Sequence, residues 1–360
     1  MSNQVSRTSK PQLSLLEKLD LIPAVLSVCL TIVGALAKAP FRGKNSPPTL
    51  YGYVMYSAVR KWLSRASTRQ LQSVAPSTTE FYAEFAKTKE FAPQSFTLAD
   101  GTQGHWIGSP DADKVVLYCH GGGFAAEANP FHFEICWEYH QLLKEAGKDV
   151  SFVMLAYSLA PGSQYPYQIG QAVAALGYLV NVAGKKPSNI MLQGDSAGAH
   201  MALGILSHLS HPHPQLPPLR LTENLRGAAL FSPWIVLDTS APSMARNAQK
   251  DIIPLDSMDV WSKAYVGDAP PDKFNLPLSA PSEWWSDLKV DDVIIVGGED
   301  EVLVDTIREF SEKFTAGHPK TTTVIAPNEA HVAPVLDRLA GNKGPWQQDE
   351  AMRSWLLEYF

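Results

Sequence analysis

The chain has 360 residues, 45% hydrophobic and 18% charged, a composition that supplies a large core and excludes a disordered or low-complexity protein. A formal net charge of −6 argues against nucleic acid as a partner. The three cysteines, Cys29, Cys119 and Cys136, show no CxxC spacing, which gives neither a disulfide framework nor a zinc pattern and points to a reducing compartment.

Charge is unevenly spread. Residues 1–79 hold ten Lys/Arg against two acids, Glu17 and Asp20, a local balance of +8 that leaves −14 for the rest. Within this basic arm, Leu21 to Ala39 is nineteen residues long with Lys38 as its single charge, about the length that crosses a bilayer. Three readings stand for it. One is a cap helix buried over a site mouth, and another is a membrane anchor. The third is a cleaved signal, favoured by Ala35, Ala37 and Ala39 but opposed by the acids just upstream. The first two are compatible, because a cap of apolar helices can dip into a membrane face. Residues 1–89 are therefore read as an N-terminal helical cap or membrane-associated arm. The location follows as intracellular, at the endoplasmic reticulum or another membrane if 21–39 is an anchor and cytoplasmic otherwise.

Residues 90–360 read as one α/β domain. Apolar strand patterns at Val115–Tyr118, Val150–Ala156, Ile190–Gln193, Ala228–Phe231, Val293–Val296 and Thr322–Ile325 alternate with helical patterns. The helices are expected around Ile169–Val182, Ala197–Leu209, Val302–Ala316, Ala333–Leu339 and Trp346–Phe360. Such alternation implies βαβ units and a mostly parallel sheet flanked by helices. Residues 238–287, rich in Pro, Ser and aromatics, interrupt it and are read as a cap or lid insert over the C-terminal edge of the sheet, where such folds bind ligands.

Gly194-Asp195-Ser196-Ala197-Gly198 fits G-x-S-x-G between a strand and a helix, the tight turn that lifts a serine oxygen above a sheet. His120-Gly121-Gly122-Gly123-Phe124 follows the first strand, 76 residues earlier. A glycine loop of this kind lets backbone N–H groups approach a substrate carbonyl. Neither Gly-Lys-Ser/Thr nor G-x-G-x-x-G follows, so a phosphate or dinucleotide cofactor is not indicated. A serine nucleophile needs a base and an acid, in the order serine, acid, histidine. His331, after the last strand, is the best-placed base. Glu299, Asp300, Glu301 and Asp305 all follow the Val293–Val296 strand, and spacing does not choose among them. His208, His211 and His213 lack a nearby carboxylate or cysteine and read as a solvated loop, not a metal site. His120 is read as a support for its own loop.

With these motifs in view, residues 90–340 resemble the hormone-sensitive-lipase-like branch of the α/β-hydrolases. The likeness rests on the His120–Phe124 loop, Tyr157-Ser158-Leu159-Ala160-Pro161, the Ser196 turn, and the acid and histidine loops. Gln164-Tyr165-Pro166, Ser207-His208-Leu209, Ser232-Pro233-Trp234 and Glu301–Asp305 look most like a fungal subgroup of steryl acetyl hydrolases and secondary-metabolite hydrolases. The resemblance implies the α/β-hydrolase fold and a catalytic Ser196, Glu301 and His331. Glu301 is selected because laying Leu303 and Asp305 on the family's Asp-Pro-Leu-x-Asp pattern puts it on the catalytic acid. It also implies an oxyanion hole from the N–H groups of Gly122, Gly123 and Ala197. Where the family usually carries Arg and a following acid in the Tyr157 loop, this chain has Ser158 and Gly162-Ser163, a departure that leaves the chemistry intact and does not carry over an ion pair for this supporting loop.

The expected activity is that of a serine esterase needing no cofactor or metal, which removes a short acyl group from a lipophilic sterol, terpenoid or polyketide alcohol. Trp234, Trp261 and Phe124 are candidate pocket aromatics, while Trp284 and Trp285 are read as holding the insert on the core. The rival readings are acyl transfer or lactone formation on the same serine, and a non-hydrolytic cyclase or binding protein on the same fold. Membrane contact through 21–39 is expected alongside the small lipophilic substrate, and oligomeric state is left open.

Overall fold

The computed structural model describes residues 10–43, 45–339 and 341–360. Four helices come first: α1 (Leu15–Lys38), α2 (Leu50–Arg65), α3 (Thr68–Val74) and α4 (Thr78–Thr88). Three of them open on a serine whose side chain accepts the N3 amide while the N3 side chain returns a bond, namely Ser14/Glu17, Ser67/Gln70 and Ser77/Glu80. The sheet elements follow: β1 (Gln94–Thr97), β2 (Gln103–Ile107), β3 (Lys114–Cys119), α5 (Pro130–Glu145), β4 (Val150–Ala156), α6 (Tyr167–Asn181), β5 (Ile190–Asp195), α7 (Ala197–Ser210) and β6 (Leu225–Phe231). Then come α8 (Pro242–Asn247), α9 (Leu255–Val266), β7 (Val290–Gly298), α10 (Val304–Gly317), β8 (Thr321–Ala326), α11 (Ala333–Leu339) and α12 (Gln347–Tyr359).

The eight strands of the described residues join one sheet in the order β1-β2-β4-β3-β5-β6-β7-β8. The strands from β3 onward run parallel to their neighbours, while β2 is antiparallel to both β1 and β4. The expected mostly parallel α/β sheet is therefore present. The parallel strands are covered on both faces, so β4 (VSFVMLA) is buried throughout and reads as a continuous apolar run, not an alternating one. Two apolar layers result. One holds Leu117, Leu192, Leu203 and Ile295, and the other Tyr118, Phe133, Phe152 and Met191.

Strands β1 and β2 fall outside the expected series. In β1, Gln-Ser-Phe-Thr buries only Phe96, so an edge strand of this kind carries too little apolar pattern to be seen in sequence. The order reverses beside β3, since the chain passes from β3 to β4 on one side and to β5 on the other. Such switch points open a crevice at the carboxyl ends of the strands. The loops after β3 and β5, bearing Gly121–Gly123 and Ser196, meet there.

Above this edge lie α2, α3 and the 238–287 segment, which contains α8 and α9. Gln72 on α3 donates to the carbonyls of Ala125 (2.8 Å) and Ala160 (2.7 Å), tying the N-terminal helices to the glycine loop. Helix α1 packs on α2, but most of its apolar surface stays exposed, so α2 and α3 cover the crevice and α1 forms an outer layer.

Candidate active site

Each strand that ends at the crevice delivers one component. After β5 the chain turns sharply at Ser196, whose φ of 53° lies in the left-handed region. The turn is possible because its flanking residues lack a Cβ. One added to Gly194 would stand 2.3 Å from the Gly198 carbonyl carbon, and one on Gly198 only 1.9 Å from the Cys119 carbonyl oxygen. Phe124 (56°), Ser232 (44°) and Val332 (46°) also have positive φ, so four of the six such non-glycine residues among those described sit in site loops. Positive φ costs on the order of 1–3 kcal/mol per residue, and its concentration here marks a functional region.

Ser196 precedes α7, so Ala197 opens that helix, where the first N–H groups have no intrahelical acceptor and the dipole favours negative charge. Opposite, the glycine loop is folded by Ala125 and Ala126 donating to the Gly122 carbonyl (3.0 and 2.9 Å). Gly122 and Gly123 thereby form cavity wall beside Ser196.

Asp195, a position that the G-x-S-x-G pattern leaves free, has a large structural role. Its carboxylate accepts from Tyr118 Oη (2.7 Å), the Gly121 amide (2.9 Å) and His132 Nε2 (3.2 Å). It therefore pins the glycine loop to the serine turn. Burial opposes ionisation, but His132, Tyr118 and His120 outweigh it and hold Asp195 below its ordinary value. His120 donates to the Gly121 carbonyl (2.7 Å) and stacks on Tyr157. Burial, with His132 nearby, pushes it down to about 3, so it is a neutral support. The Tyr157 hydroxyl donates to the His120 carbonyl (2.8 Å), and Gln171 bonds both the Ser158 amide (2.8 Å) and its hydroxyl (2.9 Å). Neutral hydrogen bonds thus hold the Tyr157–Ser158 loop.

The four acids after β7 separate cleanly. Glu299 pairs with Arg308, Asp300 with Lys250 (2.6 Å) and Asp305 with Arg246 (2.7 Å), all at or near the surface. Glu301 alone turns inward and is fully buried. One oxygen accepts from the Gly298 amide (2.5 Å) and the Ser232 hydroxyl (3.0 Å), and the other from His331 Nδ1 (2.8 Å). Because a carboxylate only accepts, Nδ1 carries the proton and Nε2 is the basic nitrogen. Burial pushes His331 down. The bond and charge of Glu301, followed by the charges of Asp251 and Asp195, overcome that and raise it above the ordinary histidine value.

Ser196 and His331 line one cavity of about 350 Å³ with Gly122 and Gly123. The remaining wall is largely apolar, with Val59, Trp62 and Leu63 from α2, Leu71 and Val74 from α3, Trp234, Ile252, Ile253, Met258 and Trp261. Trp261 lies against the glycine loop, since a Cβ on Gly123 would fall 2.5 Å from its ring. Phe124 is buried beneath the loop, stacked on Tyr265. Trp284 stacks on His211, and Trp285 packs among Phe310 and Phe314.

Two expectations are corrected, the first being that Phe124, a candidate pocket aromatic, packs on Tyr265 under the glycine loop and stays out of the cavity wall. Second, the His208–His213 stretch is not a solvated loop, because His208 and His213 are buried. His208 donates to the Pro217 carbonyl (3.0 Å) and accepts from the His213 amide (3.0 Å), while His213 bonds the Tyr165 hydroxyl (2.9 Å). A Pro-rich, polar sequence hid this, since its burial comes from distant segments folding over it. Asp251 is a site-adjacent group with no sequence signal, lying in the insert far from any motif.

Comparison with known proteins gives the same fold. A family model described as alpha/beta hydrolase fold matches residues 116–335. Steryl acetyl hydrolase 1 of Saccharomyces cerevisiae is 25% identical over 249 residues, 63% of this chain and 56% of its own, so the match spans little more than half the yeast protein. An acetyl-hydrolase of Streptomyces hygroscopicus is 30% identical over 229 residues, covering 61% of this chain and 70% of that one. Among solved structures, an esterase from the bacterial hormone-sensitive lipase family superposes with a TM-score of 0.61 at 21% identity, covering 85% of this chain and 98% of that one. Fungal and bacterial proteins both appear, so the likeness is to the hormone-sensitive-lipase-like esterases at large and only weakly to a fungal subgroup. The chain belongs to the α/β-hydrolase fold family.

Proposed function

We propose that the protein is a serine carboxylesterase that removes a short acyl group, acetyl above all, from a lipophilic alcohol. The observation that carries this is the buried 2.8 Å bond between His331 Nδ1 and Glu301, behind an apolar cavity that Ser196 and His331 both line. In this reading His331 Nε2 takes the Ser196 proton as Oγ attacks the ester carbonyl. The N–H groups of Gly122, Gly123 and Ala197 hold the oxyanion, each contributing about 3 kcal/mol to barrier lowering. The His331 proton then passes to the departing alkoxide. Water, deprotonated by the same nitrogen, releases the acid and restores Ser196. Glu301 fixes the tautomer and steadies the imidazolium.

The substrate class rests on the wall and on two relatives. The cavity sits near the small end of ligand sites, and apolar side chains dominate it, which suits a short acyl group and a greasy alcohol. Both curated relatives are named for removing acetyl groups. A series of p-nitrophenyl esters, followed by acetylated sterols, terpenoids and polyketides, tests it. Acetate is expected to be hydrolysed fastest with release of free alcohol. Acyl appearing on a second alcohol in place of acetate would overturn hydrolysis.

We further infer that α1 contacts a lipid surface. Its amphipathicity is inverted: the inward stripe carries Glu17, paired with Arg69 (3.2 Å), and Asp20, paired with Arg65 (2.5 Å), together with Ala24 and Ala35. Leu19, Ile22, Leu26, Leu30 and Val33 point outward, each more than half exposed. An apolar stripe turned away from its own protein suits the acyl boundary of a bilayer, with Lys18 and Lys38 toward the headgroups. Flotation with anionic vesicles tests this. Leu26→Glu with Leu30→Glu should abolish binding, whereas unchanged flotation would overturn it.

A further inference from the structure

Asp251 lies between α8 and α9, within the 238–287 segment, and is completely buried. Among the described residues its carboxylate is bonded to backbone N–H groups alone. One oxygen accepts from Ile252 (2.7 Å) and His331 (3.2 Å), and the other from Val302 (2.6 Å). Val302 directly follows Glu301. A single carboxylate from the insert therefore joins the backbone beside the acid to the backbone of the base.

A buried carboxylate loses its hydration, and here three backbone N–H bonds and the charge of the nearby His331 ring offset that cost. The charges around it are few and come from three directions: the His331 ring, the Glu301 carboxylate, and on α2 Arg60 and Tyr56. Arg60 bonds the Asp251 carbonyl (2.5 Å), not the carboxylate. The next two residues, Ile252 and Ile253, line the cavity, so the segment that carries this carboxylate also touches the substrate space.

We propose that Asp251 is a positioning residue for the hydrolysis inferred above, holding the Glu301 and His331 loops in register and supplying a second negative charge that steadies the His331 imidazolium. The proposal rests on the serine-esterase reading. Burial raises the Asp251 carboxyl to about 6 against the pull of His331, with Glu301 adding to the rise, so the group is ionised above neutrality and gains a proton in mild acid.

Asp251→Asn keeps the size and removes the charge, with the loss of one accepted backbone bond. Turnover of p-nitrophenyl acetate should fall by up to about 10²-fold, from a misplaced base, with little change in KM. With less negative charge nearby, His331 gives up its proton more readily, so the acid limb of kcat/KM should move to lower pH, by about one unit. A merely structural role would lower the active fraction, counted with a fluorophosphonate, and leave that limb in place. An unmoved acid limb with turnover per labelled site within twofold of wild type overturns the proposal. Should the variant not fold, carbon-13 NMR of aspartate-labelled wild-type protein decides. The Asp251 carboxyl and the His331 ring should titrate as a coupled pair, and independent single-step curves would contradict the proposal. Failure of the esterase reading itself would look different, as a wild-type Ser196 that the fluorophosphonate does not label.

Discussion

The crevice at the strand ends and the helical layer above it are built on opposite rules. At the strand ends, polar groups are buried and nearly all have assigned partners: Asp195 holds Tyr118, Gly121 and His132, and Glu301 holds Gly298, Ser232 and His331. In the outer layer, α1 spends its acids on Arg65 and Arg69 and leaves leucines in the open. The difference teaches where each property resides. The proposed reaction needs fixed polar geometry, and the strand ends supply it. The proposed function assigns substrate choice and membrane contact to apolar surfaces of the insert and the N-terminal helices, which stand apart from the buried polar groups.

Substitutions should divide along the same line. Ser196→Ala is the severest, with turnover falling on the order of 10⁶-fold in a p-nitrophenyl acetate assay. Glu301→Gln should cost about 10⁴-fold, because the amide favours the wrong His331 tautomer, whereas Asp300→Asn loses only its contact with Lys250 and should stay within a few fold. The reverse ranking would place the acid one residue earlier. In the upper layer, Trp261→Ala should leave acetate turnover nearly unchanged and raise butyrate relative to acetate by roughly tenfold, since it clears the wall beside Gly123. An unaltered chain-length profile would remove Trp261 from substrate choice.

The pH profile sharpens the comparison with the smallest change. His331 is raised in the folded protein, and in the proposed mechanism only its neutral form serves as base. Activity should therefore climb through a pKa above the ordinary histidine value as pH rises, and fall away in acid. A half-maximal point below about 6.5 would mean that burial outweighs Glu301.

The same division explains what could be read from sequence. The parallel strands, the Ser196 turn and the glycine loop were legible because each combines a local apolar run with glycines that a close approach demands, as at Gly194 and Gly198. Choosing Glu301 over Asp300 needed a family pattern, because four neighbouring carboxylates look alike until the fold supplies Lys250, Arg246 and Arg308 to three of them. Asp251 and the buried His208 and His213 left no mark, and within the expected N-terminal cap nothing marked α2 and α3, in place of 21–39, as the cavity wall. Their burial is made by segments remote in the chain, and no local periodicity records that.

The central claim is that Ser196, activated by His331 and Glu301, attacks an ester. Intact-protein mass spectrometry after a brief reaction with p-nitrophenyl acetate, quenched in acid, tests it most directly. The account predicts a transient acetyl adduct mapped to Ser196, absent from Ser196→Ala and long-lived in His331→Gln if it forms at all. Undiminished hydrolysis by Ser196→Ala, or an adduct on another residue, would contradict it.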